Sequence, residues 1–257
     1  MPTIRSEAPS ADMNPGPAHS GGTRESDQNS DAELRRAAHA RLRDRLVVAL
    51  AFVTGATDAI GFVSLGGVFT SVMTGNMVLL GMGVGRGKLA LLEHTGVALA
   101  AFITGTILGA RVAQAPQPND PIWPRRLTLA LLAEFALFLA AALCWWTVGS
   151  HPHGTIQSLL LATDALALGL QSSAVLRLNV SGLSTTYLTG TLTTLIQSRT
   201  TKRHTAADVR SAFLLLALIT GAALGTALAL HCPAAAPLVA LVVLPVVIVG
   251  AELGMRG

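Results

Sequence analysis

The sequence predicts an all-α integral membrane protein with six full transmembrane helices, two further short or broken helices, and two related halves. Three observations support this fold class. Apolar residues occupy 51% of the 257 positions and charged residues only 12%, roughly half the charged share of a soluble domain. Eight apolar segments follow one another from residue 46 onward. Three short motifs of the first half recur, in the same order, in the second half.

The amino-terminal region is predicted to lie outside the membrane. Residues 1–30 are rich in Ser, Pro, Gly and acidic residues and contain few large apolar side chains, which is typical of a disordered tail. Residues 31–45 carry five arginines among Ala and Leu, which favours a basic helix beside the membrane. Each basic residue near anionic headgroups adds about 1 kcal/mol of attraction. We therefore expect a topology anchor in contact with anionic lipids.

The eight apolar segments differ in length. Six are long enough to cross a hydrocarbon core of about 30 Å, and they cover residues 46–65, 89–112, 127–148, 156–176, 209–230 and 237–253. The segments 68–84 and 183–196 are shorter and polar in their first halves. Such segments are either short spans or re-entrant helices that line a cavity. The first segment starts too far from Met1 for a cleavable signal peptide, so we expect a retained first helix.

Three motifs of the first half return in the second. They are Ala56-Thr57-Asp58-Ala59 with Ala162-Thr163-Asp164-Ala165, Thr74-Gly75-Asn76 with Thr189-Gly190-Thr191, and Gly105-x-x-x-Gly109 with Gly221-x-x-x-Gly225. The pairs are separated by 106, 115 and 116 positions. An insertion of about nine residues near 176–181 would reconcile these offsets. We expect one membrane repeat over 46–148 and a second over 149–257.

The basic residues distinguish two topologies. If all eight segments cross the membrane and the amino terminus is cytoplasmic, the 18 Lys and Arg divide into 14 inside and 4 outside. If the two short segments re-enter, the halves become inverted and only Arg86 and Lys88 lie outside. Positive charge is enriched on the cytoplasmic side of membrane proteins. The charges therefore favour six crossings and inverted repeats.

Two ordered sets of residues resemble the YoaK-like family of bacterial multi-pass membrane proteins. The first set is Asp58-Ala59-Ile60-Gly61-Phe62, Gly66-Gly67-Val68-Phe69 and Met73-Thr74-Gly75-Asn76, and the second is Gly169-Leu170-Gln171, Thr185-Thr186 and Thr189-Gly190-Thr191. The resemblance covers the chain from about residue 46 to the carboxyl terminus. It implies a domain of unknown function in the inner membrane and indicates no particular substrate.

Three acidic residues lie inside apolar segments, and we predict that they form ion or proton sites. They are Asp58, Asp164 and Glu134. An ionised carboxylate near the centre of a bilayer costs on the order of 2.5 to 3.5 kcal/mol, so it usually faces a partner or a hydrated cavity. The alternative is structural, with each aspartate capping a broken helix or fixing its packing.

A second group of polar residues forms a candidate solute site. It comprises Thr70, Ser71, Thr74, Gly75, Asn76, Gln171, Thr185, Thr186, Thr189, Gly190 and Thr191. Paired short segments at matching positions of two halves are typical of the central site of a transporter. Small polar residues are also usual at close helix contacts, so packing remains an alternative here. For Gly105, Gly109, Gly221 and Gly225 the Gly-x-x-x-Gly spacing predicts helix packing.

These observations lead to two functional hypotheses. The first is a secondary transporter or exporter of a small, unknown solute or ion. The second is a non-transporting structural or regulatory scaffold. The sequence contains no His-Glu-x-x-His, Gly-x-Ser-x-Gly or Walker motif, so we expect no enzyme, and we predict neither a cofactor, a metal site nor a nucleic-acid partner. The expected location is the bacterial inner membrane with the amino terminus in the cytoplasm.

Overall fold

The structure is a computed structural model that describes residues 22–114, 121–178, 188–200 and 206–255. Across these ranges the chain forms α-helices and one short 3-10 turn, without strands. The helices are α1 (Gly22–Ser64), α2 (Met73–Arg86), α3 (Leu89–Ala113), α4 (Arg125–Thr147), α5 (Gly154–Leu176), α6 (Leu188–Thr200), α7 (Ala206–His231) and α8 (Leu238–Met255). Six of them, all except α2 and α6, are long and apolar enough to cross a membrane. The predicted fold class is confirmed.

The first helix belongs to two structural units. Its part up to Ala38 forms one unit, and the chain from His39 onward forms the helical bundle. The helix begins at Gly22, earlier than the predicted start at residue 31. Arg and Glu in residues 22–30 are good helix formers, so the polar composition did not prevent helix formation there. The side chains of residues 33–38 are exposed.

Helices α1 and α7 run in the same direction and touch through glycine. Gly221 lies against the carbonyl group of Phe52, and Gly225, one turn later, lies against that of Ala56. In the reciprocal contact, Gly55 lies against the carbonyl group of Leu218. A methyl group added at any of these glycines would overlap the neighbouring backbone. Small residues of this kind let membrane helices approach closely.

Helices α3 and α5 form a second parallel pair with the same type of contact. Gly105 lies against the carbonyl group of Leu166, and Gly109 packs on Leu170. Gly169 of α5 lies against the carbonyl group of Phe102. The four glycines that the sequence assigned to packing thus all lie at the α1–α7 and α3–α5 contacts.

The bundle has two ends, which we define by α1. The proximal end is the one at which the bundle part of α1 begins, and the distal end is the one at which α1 finishes at Ser64. The start of α5 lies at the distal end, because the Gln157 side chain donates a hydrogen bond to the Ser64 carbonyl oxygen over 3.0 Å. The start of α7 lies at the proximal end, where Arg210 is 3.4 Å from Asp44.

Helix α2 enters and leaves the bundle at the distal end. After Ser64 the chain is not helical over 65–72, and it turns back along α1 far enough for Thr70 and Ser71 to bond to Asp58. Helix α2 then returns and ends in a tight turn, in which Gly87 has a positive φ of 62°. Gly83 near the end of α2 packs on Leu92 near the start of α3. Helix α2 is therefore re-entrant.

Helix α6 lies between two chain segments that meet the same end. The Arg177 guanidinium, just after α5, bonds to the carbonyl oxygen of Ala113 at the end of α3, which is the proximal end. Helix α7 starts at the proximal end as well. The described chain before α6 and the described chain after it therefore both meet the proximal end, as expected if α6 does not cross the membrane.

Helices α4 and α8 are antiparallel. At the distal end, the indole N–H groups of Trp145 and Trp146 donate to the carbonyl oxygens of Pro233 and Ala234 over 3.0 and 2.7 Å. At the proximal end, the Thr128 hydroxyl donates to Glu252 over 3.0 Å. These bonds hold the two ends of α8 against α4.

Candidate functional site

The Asp58 carboxylate holds the non-helical chain that precedes α2. It accepts hydrogen bonds from the backbone N–H groups of Thr70 (2.8 Å) and Ser71 (2.7 Å). It also accepts bonds from the Thr70 hydroxyl (2.9 Å) and the Ser71 hydroxyl (2.5 Å). Non-helical backbone has no internal partners, and each unsatisfied group in a bilayer costs several kcal/mol. These contacts correspond to the helix-capping alternative that the sequence left open, and an ion site at Asp58 stays a prediction.

Asn76 supports the same segment from α2. Its amide group donates to the Phe69 carbonyl oxygen over 2.6 Å, and its side-chain oxygen accepts the Phe69 N–H over 2.9 Å. The Phe69 ring stacks on that of Phe62, with ring centres 4.9 Å apart, and Gly75 packs beside the Phe69 ring. Asp58 and Asn76 therefore fix residues 69–71 from two sides.

The other candidate solute residues divide into three groups. Thr74 is exposed on α2, and Gly190 is exposed on α6. Thr191 is buried on α6. Thr185 and Thr186 lie outside the described residues, as does the side chain of Thr189. The solute cradle that the sequence predicts from the two Thr-Gly segments stays a prediction.

A cavity lies between α1, α4, α5 and the start of α8. Its volume is about 30 Å³, which is room for two or three water-sized groups. Its lining includes Thr57 and Ile60 of α1, Phe138 and Trp145 of α4, Leu160 and Asp164 of α5, and Pro237 and Val239 where α8 begins. Lining residues of this cavity come from neither α2 nor α6. The structure thus shows a mostly apolar cavity that contains one carboxyl group and lies apart from α2 and from the described part of α6.

Asp164 is the charged residue that lines this cavity. Its exposed fraction is 9%, and its carboxylate has no hydrogen bond or ion pair within the described part of the chain. The cavity also contains the Thr57 side chain. A buried carboxyl group is normally satisfied by donors. An unpartnered one beside a cavity is typical of a functional site.

Glu134 and Gln171 extend the polar region beyond the cavity. Glu134 is completely buried, and neither of its carboxyl oxygens has a partner among the described residues. It lies on the same face of α4 as Phe138, one turn closer to the proximal end. The Gln171 amide donates to the Thr54 hydroxyl over 2.9 Å, whereas its side-chain oxygen has no partner in the part of the chain that the structure describes.

Sequence reasoning missed the aromatic wall of the cavity. One face of α4 carries Glu134, Phe138, Ala141 and Trp145 at helical spacing. This pattern could have indicated that Phe138 and Trp145 face inward together with Glu134. Thr57 is part of the repeated Ala-Thr-Asp-Ala motif, but the motif does not indicate that its side chain faces a cavity. Neither omission affects the identity of the acidic residues.

The comparisons with known proteins agree with a membrane location. Residues 46–250 match the family described as "Protein of unknown function (DUF1275)". The chain is 35% identical over 159 residues to the UPF0700 transmembrane protein YoaK of Bacillus subtilis, and this match covers 62% of the chain and 68% of the relative. No solved structure matches the chain.

Proposed function

The chain belongs to the DUF1275 family of proteins of unknown function and resembles a transmembrane protein of Bacillus subtilis, and we propose that it is a secondary transporter or exporter of a small solute or ion. The observation that carries the proposal is the unpartnered Asp164 carboxyl group at the cavity. Its role is to bind a proton or another cation during the transport cycle. Glu134 is the second carboxyl group available for this role, since it is buried without partners among the described residues.

An inverted relation between the two halves supports a transport mechanism. The contact glycines Gly55 and Gly169 are 114 positions apart, and Gly105 and Gly221 are 116 apart. Helices α1 and α5 run in opposite directions, as do α3 and α7. Transporters with inverted halves expose a central site alternately to the two sides of the membrane.

The glycine contacts align the two halves of the chain differently from the alignment that the repeated Ala-Thr-Asp-Ala motif implies. An offset of 114 makes Ser172 the counterpart of Asp58, and it makes Leu50 the counterpart of Asp164. The inferred insertion at 176–181 is then unnecessary, because 114 to 116 positions relate all elements. Asp164 would be a site that belongs to one half only.

The distribution of basic residues supports an orientation. Of the Lys and Arg within the described ranges, only Arg86 and Lys88 belong to the distal end, so the proximal end is assigned to the cytoplasm. The amino terminus is then cytoplasmic, and the membrane is the bacterial inner membrane. The basic part of α1 would contact anionic headgroups.

The scaffold hypothesis has one observation in its favour. Asp58 accepts hydrogen bonds from Thr70 and Ser71, and Asn76 bonds to the backbone of Phe69. These residues therefore serve the architecture. A scaffold gives no reason, however, for placing the unpartnered Asp164 beside a cavity. Transport accounts for both sets of residues.

The test compares solute and proton flux in proteoliposomes loaded with a cell metabolite extract. Asp164→Asn should abolish flux driven by a pH gradient, because an amide does not exchange a proton at neutral pH. Glu93→Gln is the matched control, since Glu93 is an exposed acid at the distal end of the bundle whose carboxylate accepts a bond from Ser158. Flux that is equal in native protein and Asp164→Asn would refute the proposal.

A further inference from the structure

We infer that the cavity beside Asp164 binds a small organic cation, an alkylammonium ion, in exchange for the proton on the Asp164 carboxyl group. The inference rests on the proposed transport function and names the class of its substrate. The reasons are the sign of the charge in the cavity, the scarcity of oxygen ligands, the apolar walls, and the small volume.

The charge in the cavity favours a cation. Asp164 is ionisable, and basic side chains are absent from the lining. An anion would meet a carboxylate without any compensating positive group, which is unfavourable in a site with little water. A cation would instead find the one group on the described walls that can neutralise it.

The number of oxygen ligands disfavours a metal ion. Ca²⁺ takes six to eight oxygens, and Mg²⁺ prefers six in octahedral geometry. The side chains in the lining provide oxygen only from Asp164 and Thr57. The lining segments are mostly helical, so their backbone carbonyl groups are largely engaged in helical bonds. An ammonium group needs far fewer partners, because it can donate one bond to the carboxylate and one to the hydroxyl.

The walls fit an alkyl group. Ile60, Leu160 and Val239 provide apolar surface. Phe138 and Trp145 add two aromatic rings, and ammonium ions are attracted to the faces of such rings. The small volume of about 30 Å³ favours a cation with a short alkyl chain, such as methylammonium or ethylammonium.

Proton exchange follows from the surroundings of Asp164. An ionised carboxylate without donors is disfavoured in a buried site, and either a proton or a bound cation can compensate its charge. When R–NH₃⁺ binds, the O–H bond of the carboxyl group breaks and the proton passes to solvent. The product is the ion pair R–NH₃⁺···⁻OOC–Asp164, and one positive charge leaves for each that enters.

Other titratable groups on the neighbouring helices are placed differently. Asp58 on α1 accepts four hydrogen bonds, and Glu252 on α8 accepts one from Thr128 at the proximal end. Glu93 and His94 on α3 lie near the distal end and bond to Ser158 and to the Ala90 carbonyl oxygen. Glu134 on α4 is buried but does not line the cavity. Asp164 is therefore the group expected to exchange with the cation.

The experiment measures binding of ethylammonium chloride to the full-length protein in detergent micelles by calorimetry, with proton release recorded in a weakly buffered solution. We expect about one proton to be released for each cation bound. The apparent affinity should fall on the order of tenfold for each unit by which the pH is lowered, since the proton and the cation compete for one group. Ethanol, a neutral molecule of the same size, should not bind.

Two variants test the role of Asp164. Asp164→Asn should lose both cation binding and proton release while it keeps the thermal unfolding midpoint of a folded protein. Glu93→Gln, the matched control, changes an exposed acid outside the cavity lining and should still bind ethylammonium. Equal binding of ethylammonium by native protein and Asp164→Asn, or equal binding of ethanol and ethylammonium, would overturn the inference.

The outcomes separate this inference from the proposed function. If ethylammonium does not bind but flux still requires Asp164, the organic-cation class is wrong and the transporter stands. If ethylammonium binds through Asp164 but no flux occurs in proteoliposomes, the site stands and transport is wrong.

Discussion

Two aspartates of this protein show how surroundings determine the role of a buried acid. Asp58 meets four donors from the chain before α2, so its carboxyl oxygens are satisfied within the protein. Asp164 meets none among the described residues and lies beside a cavity. The same side chain therefore supports the backbone at one position and is available to a ligand at the other.

The hydrogen bonds of Asp58 predict a large difference in thermal stability between two substitutions at this position. Asp58→Ala leaves two N–H groups and two hydroxyls without an acceptor, and each unsatisfied buried group costs about 1 to 3 kcal/mol. We expect it to unfold at a much lower temperature than native protein. Asp58→Asn keeps an oxygen acceptor and should lower the unfolding temperature far less. Scanning fluorimetry in detergent checks both, and similar midpoints for the two variants would contradict the capping role.

The surroundings of Glu134 predict that an apolar residue at this position increases the stability of the protein. Its carboxyl group is completely buried without partners among the described residues, so Glu134→Met removes a polar group that costs about 1 to 3 kcal/mol. We expect a higher midpoint in thermal unfolding together with reduced transport, because functional groups are often retained at the expense of stability. An unchanged or lower midpoint would indicate that Glu134 has a stabilising partner.

At the scale of the helices, glycine contacts determine which elements pair. Helix α7 packs on α1, and α3 packs on α5, because carbonyl groups of one helix fill the space above the glycines of the other.

Helix α2 begins where side chains replace the bonds of a helix. Its predicted apolar segment began at residue 68, whereas the helix begins at Met73, because Asp58 and Asn76 satisfy the intervening backbone without helical bonds.

The α3–α5 contact provides a matched pair of substitutions on one helix. Gly105→Ala would place a methyl group in the carbonyl group of Leu166, whereas Gly96→Ala would meet open space. Overpacking costs about 1 to 3 kcal/mol, and replacement of an uncrowded helical Gly by Ala gains up to about 1 kcal/mol. Thermal unfolding should therefore separate the variants in opposite directions. A loss of stability in Gly96→Ala equal to that in Gly105→Ala would refute the packing role of Gly105.

For the whole molecule, the re-entrant α2 determines the topology. Because α2 returns to the distal end, Arg41 before the first crossing and Lys88 after α2 lie at opposite ends of the bundle. If α2 crossed the membrane, both residues would face the same side. The exposed side chains of these two residues make them suitable reporters.

Cysteine labelling in sealed vesicles measures this difference. With Cys144 and Cys232 replaced by Ala, Arg41→Cys and Lys88→Cys should react with a membrane-impermeant maleimide from opposite sides. His153→Cys, which follows the α4 crossing, serves as the control and should react from the same side as Lys88→Cys. Labelling of Arg41→Cys and Lys88→Cys from one side would exclude the six-crossing topology.

The sequence by itself determined the membrane class, the number of long helices and the identity of the buried acids, because apolar length and isolated charges are local properties of the chain. The packing glycines were also visible as a spacing. The sequence did not indicate which buried acid would find hydrogen-bond donors, because the donors to Asp58 come from a loop whose path depends on tertiary contacts. Only the tertiary structure decided that Asp164 shares a cavity with Phe138 and Trp145 of another helix, because a cavity is formed by elements that are distant in sequence and meet only when the helices pack.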